Sequence, residues 1–196
     1  MLPRRQIPNA ITLARLVLTA VCIACLSLVD VSTGTTQPWL GLGLIAFLVA
    51  ALTDWLDGAL ARRWNVVSRF GRVMDPLADK VLVLGTFIVL AGPGLALSGV
   101  HPWMVVVMLT RELLVTGLRS AMESCGNAFG AVMLGKAKMV LQSVAIVAVL
   151  AMLWAYPPGN QAGSLLVARD LLLYLTVAVT VLSAWPYVAA ALRARP

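Results

Sequence analysis

Charge is what this chain has least of. Only 12% of its 196 residues are Asp, Glu, Lys or Arg, about half the share of an ordinary soluble domain. There are 8 acidic residues, one histidine and three cysteines. So few cysteines imply no disulfide framework. Cys22 and Cys25 stand at C-x-x-C spacing inside an apolar run, where a redox or zinc pair lacks its usual context. They read as small apolar helix residues. Low-complexity tracts and linkers are missing as well, which leaves one domain over residues 1–196.

What is there in excess is hydrophobicity, at 61% of residues, with a mean hydropathy of +0.93. A surplus of this size needs a second apolar solvent, and lipid is the natural one. The net charge of +7 then points to anionic headgroups and the positive-inside bias rather than to nucleic acid. About 20 apolar residues cross a bilayer. Six stretches qualify: Ile11–Val31, Pro38–Trp64, Pro76–Leu97, Pro102–Met122, Lys136–Tyr156 and Leu165–Leu192. Turn chemistry separates them, as at Gly92-Pro93-Gly94 and Pro157-Pro158-Gly159. Arg4 and Arg5 before the first run superficially resemble a signal peptide, but the run reads as a retained helix behind a short interfacial segment.

Lysine and arginine alternate between the loops. One set carries Arg4 and Arg5, then Arg62, Arg63, Arg69 and Arg72, then Arg119, Lys136 and Lys138, then Arg193 and Arg195. The opposite set, residues 31–37, 91–101 and 156–164, has none. The expected fold is therefore an all-α, multi-pass protein of the inner (cytoplasmic) membrane with six transmembrane helices and both termini cytoplasmic.

Against that background the acids stand out. Four of the eight, Asp54, Asp57, Asp75 and Asp79, fall at the end of the second span and the start of the third. A carboxylate in a membrane helix costs a few kcal/mol unless it is paired or metal-bound, and four together also repel one another. Asp54, Asp57, Gly58, Ala61 and Arg62 share one helical face, and Gly71, Asp75 and Asp79 nearly share another. A short connection makes the two helices antiparallel neighbours. Oxygen ligands without Cys or His suit Mg²⁺ or Mn²⁺ rather than zinc. Gly58 and Ala61 leave a gap beside the carboxylates that suits either a flat ligand or close helix packing, and Arg62 suits a phosphate.

Arg119, Lys136 and Lys138 are expected on the same cytoplasmic side, with Arg111 about mid-membrane. Arg111 and Arg119 are eight residues apart on the fourth helix, and Lys136 and Lys138 begin the fifth. Such a cluster suits a ligand that bears a phosphate. The competing accounts are ordinary positive-inside placement for the lysines and, for Arg111, a structural ion pair involving the adjacent Glu112.

The stretch DWLDGALARRWNVVSRFGRVMDPLAD reads D-x-x-D-G-x-x-A-R, eight residues, G-x-x-x-D-x-x-x-D. It resembles the signature of the CDP-alcohol phosphatidyltransferase family at all eight specified positions, over residues 54–79. The resemblance implies six transmembrane helices, a homodimer, a cavity facing the cytoplasm and two divalent ions. It implies Asp54, Asp57, Asp75 and Asp79 as metal ligands, with Asp79 also the general base. Gly58, Ala61, Arg62 and Gly71 would contact the donor, CDP-diacylglycerol.

Further segments, IPNAITLAR at 7–15, RELLVTGLRS at 111–120 and GKAKMVLQ at 135–142, are similar to members that use glycerol 3-phosphate. The first places Asn9, Thr12 and Arg15 on one face as possible support for the site. Met139, where Thr is common, and Ser120, where Glu is common, depart from that pattern. Sister enzymes act on serine, inositol phosphate or phosphatidylglycerol. A transporter would want repeats and polar residues at mid-depth on several helices. A membrane prenyltransferase would have no reason for the Gly-x-x-Ala-Arg element.

Overall fold

The computed structural model describes residues 7–31, 37–64, 69–124, 133–156 and 161–193, with backbone only for 7–9, 37, 54–64 and 69–73. The expected interfacial segment before Ile7 lies outside these residues. The described chain is helical, without strands. Its α-helices are α1 (Ile7–Ser27), α2 (Gln37–Trp64), α3 (Arg69–Leu90), α4 (Pro102–Ser124), α5 (Met133–Ala155), α6 (Gly163–Leu182) and α7 (Trp185–Arg193), with a 3₁₀ segment at Pro93–Ser98.

Among the described residues three helical stretches are long and apolar enough to cross a membrane: Ala10–Ser27, Met133–Ala155 and Gly163–Arg193. In α2 the apolar part is Pro38–Thr53, and α3 and α4 carry the charges that set them apart. Large apolar side chains point outward, among them Leu13 and Val17 of α1, Ile45 and Leu52 of α2, and Leu171 and Leu182 of α6. Such a surface suits lipid. Threonines within the helices return their hydroxyls to the carbonyl one turn back: Thr19 to Arg15, Thr86 to Leu82 and Thr176 to Leu172, at 2.8, 2.6 and 2.7 Å. No donor then needs water.

Two compact units divide the described residues. The first holds α1, α2, α3, the 3₁₀ segment and α5 from Ile146 onward. Here α1 packs on α2 and α3 around Cys22, Leu26, Phe47, Ala50 and Phe87, all buried. Cys22 and Cys25 are free thiols of this core. Small residues let the backbones close up. A Cβ on Gly43 would stand 2.6 Å from Leu26 Cδ2, and one on Gly94 would stand 2.3 Å from the carbonyl oxygen of Val29. Because that second neighbour is backbone, Gly94→Ala is expected to cost about 1–3 kcal/mol. Thermal unfolding in detergent would measure it, and a melting temperature equal to the parent's would refute the close approach.

The second unit holds α4, the first half of α5, α6 and α7. Pro102 is the first residue of α4, where its missing N–H costs nothing.

Several expected boundaries move, the first helix running Ile7–Ser27 rather than Ile11–Val31. The third helix starts at Arg69, with Pro76 inside it, and ends at Leu90 rather than Leu97. The last expected span, Leu165–Leu192, breaks at Ser183 and Ala184 into α6 and α7. Pro186 explains the break. It has no N–H for the carbonyl of Leu182, and its ring disfavours a continuous helix there. The chain tightens instead: the amides of Tyr187 and Val188 both turn to the carbonyl of Ala184, at 3.1 Å each.

Candidate active site

Asp75 and Asp79 lie one turn apart on α3, so their side chains leave the same face. Helix α1 supplies a donor to each. Thr12 Oγ1 donates to Asp75 Oδ1 at 2.7 Å, and Arg15 Nη1 donates to Asp79 Oδ1 at 3.1 Å. The spacing of Thr12 and Arg15 repeats the helical turn that separates the two acids, so two parallel rungs join α1 to α3. Thr12 is 0% and Arg15 1% exposed, whereas the two aspartates are only half-buried. The donors are thus sealed behind acids that keep an open side. Charge pairing matters here because a guanidinium buried in lipid or protein is costly alone and costly to orphan.

The backbones of Asp54, Asp57, Gly58, Ala61 and Arg62 continue α2, and that of Gly71 lies in α3. Their side chains, and that of Asn9, lie outside the described residues. Among the described side chains, which do not include those of Asp54 and Asp57, no group of three or more His, Cys, Asp or Glu comes together. What is seen of the set suits a hard divalent cation. Asp75 and Asp79 contribute only oxygen, and each has one oxygen oriented by a hydrogen bond from α1, as ligating carboxylates commonly are.

The second unit holds the cations expected to meet the acceptor, and it sorts them. Arg111 Nη1 lies 3.1 Å from Glu112 Oε2, and Lys138 Nζ contacts the same oxygen. Arg111 Nη2 also donates to the carbonyl of Ser183 at 3.2 Å. That carbonyl is available because the turn before Pro186 gave the Tyr187 amide to Ala184 instead. One turn beyond Lys138, Gln142 Nε2 donates to Thr180 Oγ1 at 3.3 Å. Arg111, Lys138 and Gln142 are all buried. Arg119 instead faces Glu123 at 3.8 Å with both side chains largely exposed, and Lys136 is exposed. Arg111 and Lys138 are therefore brought together on Glu112, whereas Arg119 pairs along α4 with Glu123 and Lys136 is exposed.

The ion pair to Glu112 that competed with a ligand role for Arg111 is present. Glu112 as a partner shared with Lys138, and the Ser183 carbonyl, were missed from the sequence. Adjacency of Arg111 and Glu112 hinted at the first; nothing local signalled the second.

The sequence model of the CDP-alcohol phosphatidyltransferase family matches residues 5–182. A CDP-diacylglycerol–glycerol-3-phosphate 3-phosphatidyltransferase of Bacillus subtilis (strain 168) is 37% identical over 188 residues, covering 93% of each chain. One of Escherichia coli (strain K12) is 37% identical over 147 residues, 72% of this chain and 74% of its own. One of Cereibacter sphaeroides is 36% identical over 145 residues, 72% of this chain and 61% of its own. With the eight signature positions and this coverage, the chain belongs to the CDP-alcohol phosphatidyltransferase family.

Proposed function

We propose that this chain transfers the phosphatidyl group of CDP-diacylglycerol to glycerol 3-phosphate, giving phosphatidylglycerophosphate and CMP in phospholipid biosynthesis. One observation carries the reading: the complete aspartate signature sits in a helical chain that matches a relative named for this reaction over 93% of its length. The one-sided loop charges support six spans in an inner membrane, both termini and the active site cytoplasmic. A homodimer is part of the same reading, from family resemblance.

Asp54, Asp57, Asp75 and Asp79 would hold Mg²⁺ or Mn²⁺, as two ions. A metal held there would supply neutralisation of the diphosphate's negative charge. Gly58 and Ala61 leave room for the cytidine, and Arg62 and Gly71 lie beside the phosphates. Thr12 and Arg15 keep the α3 carboxylates aimed. Asp79 accepts the proton of the acceptor hydroxyl while that oxygen bonds to the lipid-side phosphorus. The bond from this phosphorus to the bridging oxygen breaks, and CMP leaves with the electron pair. Arg111, Arg119, Lys136 and Lys138 receive the acceptor's phosphate.

Purified protein given CDP-diacylglycerol and a panel of acceptors tests the assignment through CMP release. Release with glycerol 3-phosphate that needs Mg²⁺ or Mn²⁺ is expected. Release with serine, inositol phosphate or phosphatidylglycerol in its place would overturn the acceptor, and full release in EDTA would overturn the metal.

Thr12→Val removes one hydroxyl without changing shape. It is expected to weaken Mn²⁺ binding by about 10- to 100-fold, read by electron paramagnetic resonance, with Thr12→Ser restoring it. Unchanged affinity would deny Thr12 its orienting role.

A further inference from the structure

Arg111 and Lys138 are 8% and 5% exposed, yet both direct a donor at one atom, Glu112 Oε2. Arg111 spends Nη2 on the Ser183 carbonyl, and its Nε is buried with no hydrogen-bond partner among the described residues. A buried guanidinium nitrogen left over in this way calls for an explanation. Two cationic side chains crowded on a single carboxylate oxygen make a poor match in both charge and geometry. A phosphate carries more acceptor oxygens and up to twice the charge, and an arginine fork with a lysine beside it is its natural complement. Of the three side chains, Glu112 is the one most open to solvent, at 16% against 7% and 6%.

We infer that Glu112 is the resting counter-ion of an anion site formed by Arg111 and Lys138, holding through Oε2 the place that a phosphate group takes. The inference deepens the proposed function and rests on its reading that the acceptor bears a phosphate. Acceptor affinity is then the difference between two anions competing for the same cations. A neutral alcohol has nothing with which to displace the carboxylate, so Glu112 sets specificity as well as strength.

The test uses the full chain in detergent, with inorganic phosphate as the probe and chloride at matched ionic strength as the control. Thermal unfolding is followed as phosphate is raised. Glu112→Gln is expected to melt below the wild type and to recover with phosphate. Its half-effective phosphate concentration is expected about tenfold or more below the wild type's, since one charge-assisted competitor is gone. An equal or higher concentration would overturn the inference. Should Glu112→Gln fail to fold, Glu112→Asp serves. Its shorter arm reaches the cations less well, so phosphate again acts at lower concentration than in the wild type; no difference refutes the competition. CMP release by the wild type separates the two readings. If only neutral alcohols support it, the proposed acceptor is wrong, whereas the phosphate titration reports on Glu112 independently of turnover.

Discussion

Asp79→Asn is expected to lower CMP release by about a thousandfold or more while CDP-diacylglycerol still binds. The amide matches the carboxylate in shape and keeps an oxygen for Arg15 Nη1, which now donates to Asp79 Oδ1 at 3.1 Å. It cannot accept a proton from an attacking hydroxyl, and loss of a positioned base costs about 10²- to 10⁴-fold by itself. The lost charge also weakens a proposed metal ligand, which places the effect in the upper part of that range. Equilibrium binding of a CDP-lipid, measured beside the rate, separates loss of chemistry from loss of substrate. Turnover near the parent's would remove Asp79 from the base role. Arg15 bears on the same variant. It is 1% exposed, so some loss of thermal stability accompanies the change, and a wild-type melting curve would mean that the ion pair is not maintained in the membrane.

The second large effect is structural. Arg111→Met is expected to destabilise the protein by about 3 kcal/mol, the upper end of the cost of leaving a buried acceptor unpaired. Glu112 keeps Lys138, while the Ser183 carbonyl loses its donor. Two bonds go together, one to Glu112 and one to the Ser183 carbonyl. That carbonyl has no amide waiting, because Tyr187 donates to Ala184. For a chain of this length the loss corresponds to roughly 10 °C in melting temperature. Arg111→Lys is not expected to restore it, since an ammonium does not reproduce a planar fork spanning two acceptors. A melting temperature unchanged in Arg111→Met would show that α4 does not hold the α6–α7 break.

Much of the site is local in kind and could be read early. Asp75 and Asp79 share a face because a helix turns every 3.6 residues. The four clustered acids stand out because so few charges surround them. The break between α6 and α7 was also written locally, in Pro186, yet the run Leu165–Leu192 looked continuous because hydropathy ignores backbone donors. The start of α3 was misplaced for the opposite reason: Pro76 looked like a helix start and is accommodated inside one.

Spacing and composition alone thus carry the helical class, the apolar surface, the motif and the family, since each depends on neighbours within a turn or on averages over a span. Folding in three dimensions decided the partnerships: Thr12 with Asp75, Arg15 with Asp79, and Arg111 and Lys138 on Glu112. Thr12–Asp75, Arg15–Asp79 and Lys138–Glu112 each join separate helices, and in the first two the residues lie 63 and 64 positions apart in the chain. Their register is set by packing, where small residues such as Gly43 let α1 settle against its neighbours. No periodicity within one helix contains that information, because it belongs to the fit between two surfaces.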